Sequence, residues 1–174
     1  MDIGILAYGA CIPRRRLARK SVADANAWFN PALRGQAKGE RSMCNWDEDA
    51  VTMAVEAARD CLTGLARDQI RTVQLASTSF PFEDRLNSGI VAQALNLGAE
   101  ISSLDVGSSQ RAATAGLAAV LEGAAGAGGP ALFLASEKRR TKVGSTLEMT
   151  SGDGAAALLV GSGKVIAKFI GSNS

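Results

Sequence analysis

The stretch "DVGSSQRAATAGL", Asp105 to Leu117, decides how this chain is read. It runs from the apolar end of a strand, through a turn of small residues, into an alanine-rich helix. A turn of this kind presents a side chain at the positive end of a helix, where several enzyme folds seat a nucleophile. The side chains on offer are Ser108, Ser109 and Gln110. Serine needs an activating base, and none stands nearby in the sequence. Both serines read equally as small residues that fit a tight buried turn.

Working outward, Ile101–Val106 reads as the strand that feeds this turn, and residues 109–122 as the helix that leaves it. Small residues lie on nearly every side of that helix, which predicts one packed closely by neighbours rather than lying on a surface. Upstream, Val73–Ser77 is a short apolar strand and Asn87–Leu97 a helix. "NWDEDAVTMAVEAARDCL", residues 45–62, is a clear helix. Asp47, Glu48 and Asp49 load its positive end, and Val51, Ala54, Val55, Ala58 and Leu62 share one face. Residues 2–10 form a first strand. Residues 14–46 look irregular, with breakers at Pro31, Gly35 and Gly39 around a short helix near Ser21–Phe29.

Downstream, Ala131–Ser136 is a strand, and "GAAALLVGSGKVIAKFIG" reads as two strands joined by Gly161-Ser162-Gly163, a hairpin signal. The order βαβαβαββ predicts one α/β domain over residues 1–174. It would hold a five-stranded mixed sheet, helices on both faces, and one antiparallel edge strand.

Bulk properties narrow the function classes. The chain has 174 residues, about half of them apolar, enough for a real core. A formal net charge of +2 argues for neither nucleic acid nor a membrane surface. The clusters Arg14–Arg16 and Lys138–Arg140 read as solvated loop charge or as contacts for an anionic ligand such as a nucleotide phosphate. No apolar run approaches the roughly 20 residues of a membrane span. The three cysteines, Cys11, Cys44 and Cys61, lack metal-type spacing and favour a reducing cytoplasm. The chain contains no histidine. That removes the commonest general base, the Ser-His and Cys-His pairs and most zinc sites, so no metal is expected.

Several motifs, in order, resemble the first half of a thiolase-superfamily condensing enzyme. They are "GACIPRRRL" (9–17), "KGER" (38–41), "DEDAVTMAVEAARDCL" (47–62), "DVGSSQRAATAGL", "ASEKRRTKVGS" (135–145) and "GDGAAALLVG" (152–161). The resemblance is closest to the 3-hydroxy-3-methylglutaryl-CoA synthases and the initiating ketoacyl-ACP synthases. It implies a thiolase-type βαβαβαββ half, no covalently bound cofactor, a coenzyme A thioester as substrate or ligand, and oligomers with thiolase-like chains. It also implies a catalytic histidine in a second half beyond this sequence.

In that family the turn after the third strand carries the nucleophilic cysteine, which takes the acyl group as a thioester. Here that position holds Gln110, whose amide cannot be acylated. The family's catalytic glutamate falls on Ser79, with Glu83 four residues on as a possible substitute. Where glutamine replaces the cysteine in related polyketide synthases, the site decarboxylates without condensing, or sits inactive beside a catalytic partner. Trp28 and Arg34 fall where ketoacyl-synthase relatives hold the CoA adenine and phosphates, with plain loop packing as the other reading. Asp153 resembles the family's Gly-Asp-Gly turn, in which the aspartate is expected to bond its own backbone. Cys44, just before three carboxylates, is expected to have a raised pKa. Cys61 reads as core and Cys11 as a packing residue at a strand end.

Overall fold

A computed structural model of the protein describes residues 2–126 and 128–172. The first strand, β1 (Asp2–Cys11), is followed by a small two-stranded antiparallel sheet of β2 (Arg15–Ala18) and β3 (Glu40–Met43). Helix α1 (Arg19–Asn26) and a 3-10 turn at Pro31–Gln36 lie between those two strands. Then come α2 (Ala50–Cys61), β4 (Thr72–Ala76), α3 (Asn87–Ala94), β5 (Ser102–Val106) and α4 (Ala112–Gly123). The chain continues through β6 (Ala131–Glu137), α5 (Thr146–Thr150), β7 (Gly154–Gly163) and β8 (Ala167–Lys168).

The main sheet has the order β5-β4-β6-β7-β1-β8. Strands β5, β4 and β6 run parallel, β7 runs antiparallel to both β6 and β1, and β8 pairs antiparallel with β1. The α/β class and mixed sheet match the expectation, but six strands stand where five were expected, and β7 lies inside the sheet rather than at its edge. The Gly161-Ser162-Gly163 segment makes no hairpin, because β7 runs through it. A Cβ at Gly161 would stand 2.9 Å from Leu6 Cδ1 and 3.5 Å from Pro130 Cα, so this glycine serves close approach. The short β8 then returns to pair with β1, opposite Gly4 and Ile5.

Alternation along the strands separates two cores. Val73, Leu75, Leu132, Leu134, Ala157 and Leu159 face α2 and α3. Ala76, Ala131, Phe133 and Val160 face α4. Helix α2 begins at 50 rather than 45 because Asp49 is its cap. The Asp49 carboxylate accepts from the Val51 and Thr52 amides at 2.9 and 2.8 Å, and Thr52 Oγ1 accepts from the Asp49 amide at 2.7 Å.

Helix α4 corrects another expectation. It buries Ala112, Gly116 and Val120, one residue per turn, while Thr114, Ala115 and Ala119 are exposed. Among the described residues, only the sheet side buries the helix. On that side contact is close: a Cβ at Gly116 would meet the Phe133 ring at 2.9 Å. The β2–β3 pair is likewise an addition to a segment read as irregular.

Candidate functional site

Strands β4, β5 and β6 end together, at the edge of a parallel sheet where α/β proteins commonly bind ligands. After Val106 the chain turns through Gly107 and Ser108, whose φ of 66° is left-handed and rare for a residue with a side chain. Ser109 then organises the helix start: its Oγ accepts from the Arg111 amide at 3.1 Å and its carbonyl from the Ala112 amide at 3.0 Å. Those bonds close the turn ahead of the helix, and no base stands beside Ser109 among these contacts.

Gln110 is exposed and lines a cavity of about 180 Å³. Alanines 76, 112, 113 and 135 make the apolar part of its wall, and Ser77, Ser136 and Glu137 the polar part. Ser136 is 2% exposed and its Oγ has no hydrogen-bond partner among the described residues.

Asp105, the first residue of the deciding stretch, faces α3. Its carboxylate accepts from the Asn87 amide (2.7 Å), Asn87 Nδ2 (2.9 Å) and the Ser88 amide (2.7 Å). Burial acts to raise its pKa, but the hydrogen bonds from Ser88 and Asn87 outweigh it, and the net shift is downward.

Ser79 sits in the loop after β4. Its Oγ donates to Glu137 Oε2 at 2.9 Å and accepts from the Lys138 amide at 2.9 Å. Thr78 adds its amide to Glu137 Oε1 at 2.6 Å and its hydroxyl to Oε2 at 3.0 Å. Ser79 and Glu83 both line a second, wider cleft of about 700 Å³, with Asp49 and Lys138–Arg140. Glu137 lines the smaller cavity and bonds Ser79, which lines the larger cleft, so one hydrogen bond links the walls of the two. Gln110 and Ser79 are thereby brought together through a residue that the sequence did not single out. Glu137 lies 58 residues from Ser79, and nothing in the local pattern of "ASEKRR" announces that contact.

Trp28 and Arg34 line neither void. Trp28 is 82% exposed and packs edge-on against Phe29, with ring centroids 5.1 Å apart; Arg34 is exposed on the 3-10 turn. Asp153 does not bond its own backbone as expected. It is buried and accepts from the Cys44 amide at 2.8 Å, tying the start of β7 to the end of β3. Lys138 Nζ donates to the Glu48 and Asn45 carbonyls, which commits one residue of the basic cluster to holding the approach to α2.

All three cysteines are free thiols. Burial, and then Asp153, pushes Cys44 up to about 12; burial pushes Cys61 up to about 11 and also raises Cys11. The direction at Cys44 is the expected one, but its main causes are burial and Asp153 rather than the acidic helix start. None of the three is an activated thiolate. Among the described residues there is no group of three or more Cys, Asp or Glu placed to hold a metal ion, and no helix is long and apolar enough to cross a membrane.

A mixed sheet covered on both faces, with a strained strand-to-helix turn beside a small cavity, defines the chain as a thiolase-superfamily half. Comparison with known proteins narrows the group. A hydroxymethylglutaryl-CoA synthase of Methanococcus maripaludis (strain C6 / ATCC BAA-1332) is 32% identical over 182 residues, covering 99% of this chain and 51% of that protein. The Methanosarcina mazei hydroxymethylglutaryl-CoA synthase is 35% identical over 170 residues, covering 92% and 47%. A solved HMG-CoA synthase complexed with CoA superposes with a TM-score of 0.81 at 26% identity, over 92% of this chain and 42% of that one. No family model matches the chain. Its homologues are therefore hydroxymethylglutaryl-CoA synthases, and the chain spans about half the length of the relatives it matches.

Proposed function

We propose that this chain handles short acyl-CoA thioesters, with carbon–carbon condensation or its reverse as the reaction class. The observation that carries the reading is the cavity beside Gln110, where the family's acyl group would sit. Its volume is about 180 Å³, and four alanines make the apolar part of its wall. That suits an acyl group of a few carbons and not a long chain. Residues 1–174 act as a single domain, the N-terminal half of the usual two, and the histidine that the chain lacks comes from elsewhere. Trp28 offers an exposed ring for the CoA adenine, and Arg34 an exposed guanidinium for its phosphates.

A second reading is favoured by Gln110 itself. An amide at the nucleophile's position, and cysteines whose thiols are all held protonated, argue for an acyl site that works without an acyl-enzyme. In this reading the chain decarboxylates a bound acyl group or shapes the site of a catalytic homologue. Incubation with radiolabelled acetyl-CoA, followed by gel filtration before and after denaturation, separates the two. Label retained by the native protein and lost on denaturation supports non-covalent handling. Label that survives on the chain defeats the second reading, and no retention at all defeats both.

A further inference from the structure

The position expected to carry a catalytic glutamate holds Ser79, and the fold brings a carboxylate to the same place from the neighbouring strand. Glu137, at the end of β6, is held by three donors: the Thr78 amide on Oε1, and the Thr78 and Ser79 hydroxyls on Oε2. A carboxylate offers about four acceptor positions, so one remains, on Oε1. Glu137 lines the cavity that Gln110 lines, whereas Glu83 lines only the outer cleft.

We propose that Glu137 is the acid–base carboxylate of this cavity. The assignment rests on the acyl-CoA reading above. With an acyl thioester bound, Glu137 takes a proton from the carbon next to the thioester carbonyl. The C–H bond breaks and its electron pair forms the carbon–carbon double bond of an enolate. The carbonyl π pair moves onto oxygen, and the proton ends on the carboxyl group. The Gln110 amide lines the same cavity and is the donor that can meet the enolate oxygen. Return of the proton restores the thioester, so the half-reaction is reversible and needs no co-reactant. Ser79 is a positioning residue: its hydroxyl already donates to Glu137 and accepts from the Lys138 amide, and it acts on substrate only through the carboxylate.

The measurement is solvent deuterium uptake into the α-position of acetyl-CoA, read by mass spectrometry, with affinity measured in parallel by calorimetry. The wild-type protein is expected to exchange above the protein-free rate. Glu137→Gln is expected to slow exchange by about 100-fold or more while binding acetyl-CoA within about threefold of wild type. Ser79→Ala loses one of the three anchors and is expected to slow exchange by about tenfold. Glu137→Asp keeps the carboxylate and should retain partial exchange with a shifted pH profile, which a purely structural clamp would not produce. This variant carries the test should Glu137→Gln fail to fold. Wild-type rates in Glu137→Gln, or bound acetyl-CoA that never exchanges in the wild type, overturn the assignment alone. Absence of binding brings down the acyl-CoA reading and the assignment with it.

Discussion

Asp105 and Gln110 sit five residues apart, and the structure gives them unrelated tasks. Asp105 fixes the start of α3 to the end of β5 through three accepted hydrogen bonds. Replacing it with alanine leaves the Asn87 and Ser88 amides without their acceptor and is expected to cost about 2 kcal/mol in denaturant unfolding. Because its pKa is lowered by folding, its share of stability is present above the ordinary carboxylate range and is lost as pH falls through the depressed value. Asp105→Asn should therefore have a lower Tm than wild type near neutrality, with the two curves converging as pH falls below the ordinary carboxylate range. A constant gap across the acid range would contradict this. At Gln110 the expected outcome is a gain. Gln110→Cys puts a thiol just ahead of α4, where the helix end favours thiolate, and should acquire acetyl label above the wild-type background. The turn around both residues was legible from its small side chains and flanking apolar runs. The contacts of Asp105 were not, because a carboxylate at a strand end looks the same in sequence whether it faces a ligand or caps a helix.

Helix α2 was the most legible element, since its apolar residues recur at helical spacing and acidic residues load its start. What the spacing did not reveal is how closely the helix lies on β1. A Cβ at Gly9 would stand 2.2 Å from the Cys61 amide nitrogen and 2.5 Å from the Ala57 carbonyl oxygen. Both are backbone atoms of a buried helix, which cannot swing aside as a side-chain tip can. Gly9→Ala is expected to destabilise by about 3 kcal/mol, at the upper end for overpacking, visible as a lower denaturant midpoint with the slope unchanged. A variant as stable as wild type would mean that the helix rides further from the sheet. Gly161 shows why the terminal hairpin was misread: a glycine for close approach and a glycine for a turn give the same letter, and only the neighbouring strand distinguishes them. The β2–β3 pair escaped for another reason. Its strands are four residues each and include three arginines, so they carry little of the apolar alternation by which strands are recognised.

At the scale of the molecule, the two faces of the sheet are unequally covered. The α2–α3 face holds most of the buried core, whereas α4 leaves Ala115 and Ala119 exposed on its outer side. The sheet also ends in β5, which pairs with β4 on one side and with no strand on the other among the described residues. Leu104, in the middle of β5, is 49% exposed. An unpaired edge beside a small-residue apolar surface is a template for another chain, and sheets that stay single usually guard it with charge. The chain also spans about half the length of the relatives it matches. The isolated 174-residue chain is therefore expected to scatter light as an assembly of at least two copies. Leu104→Lys places a charge on the open edge and should move the scattering mass toward that of one chain without lowering the helix signal in circular dichroism. A wild-type chain that stays monomeric and cooperatively folded would show that α4 needs no cover. A Leu104→Lys chain that still assembles would move the contact from the β5 edge to the outer face of α4.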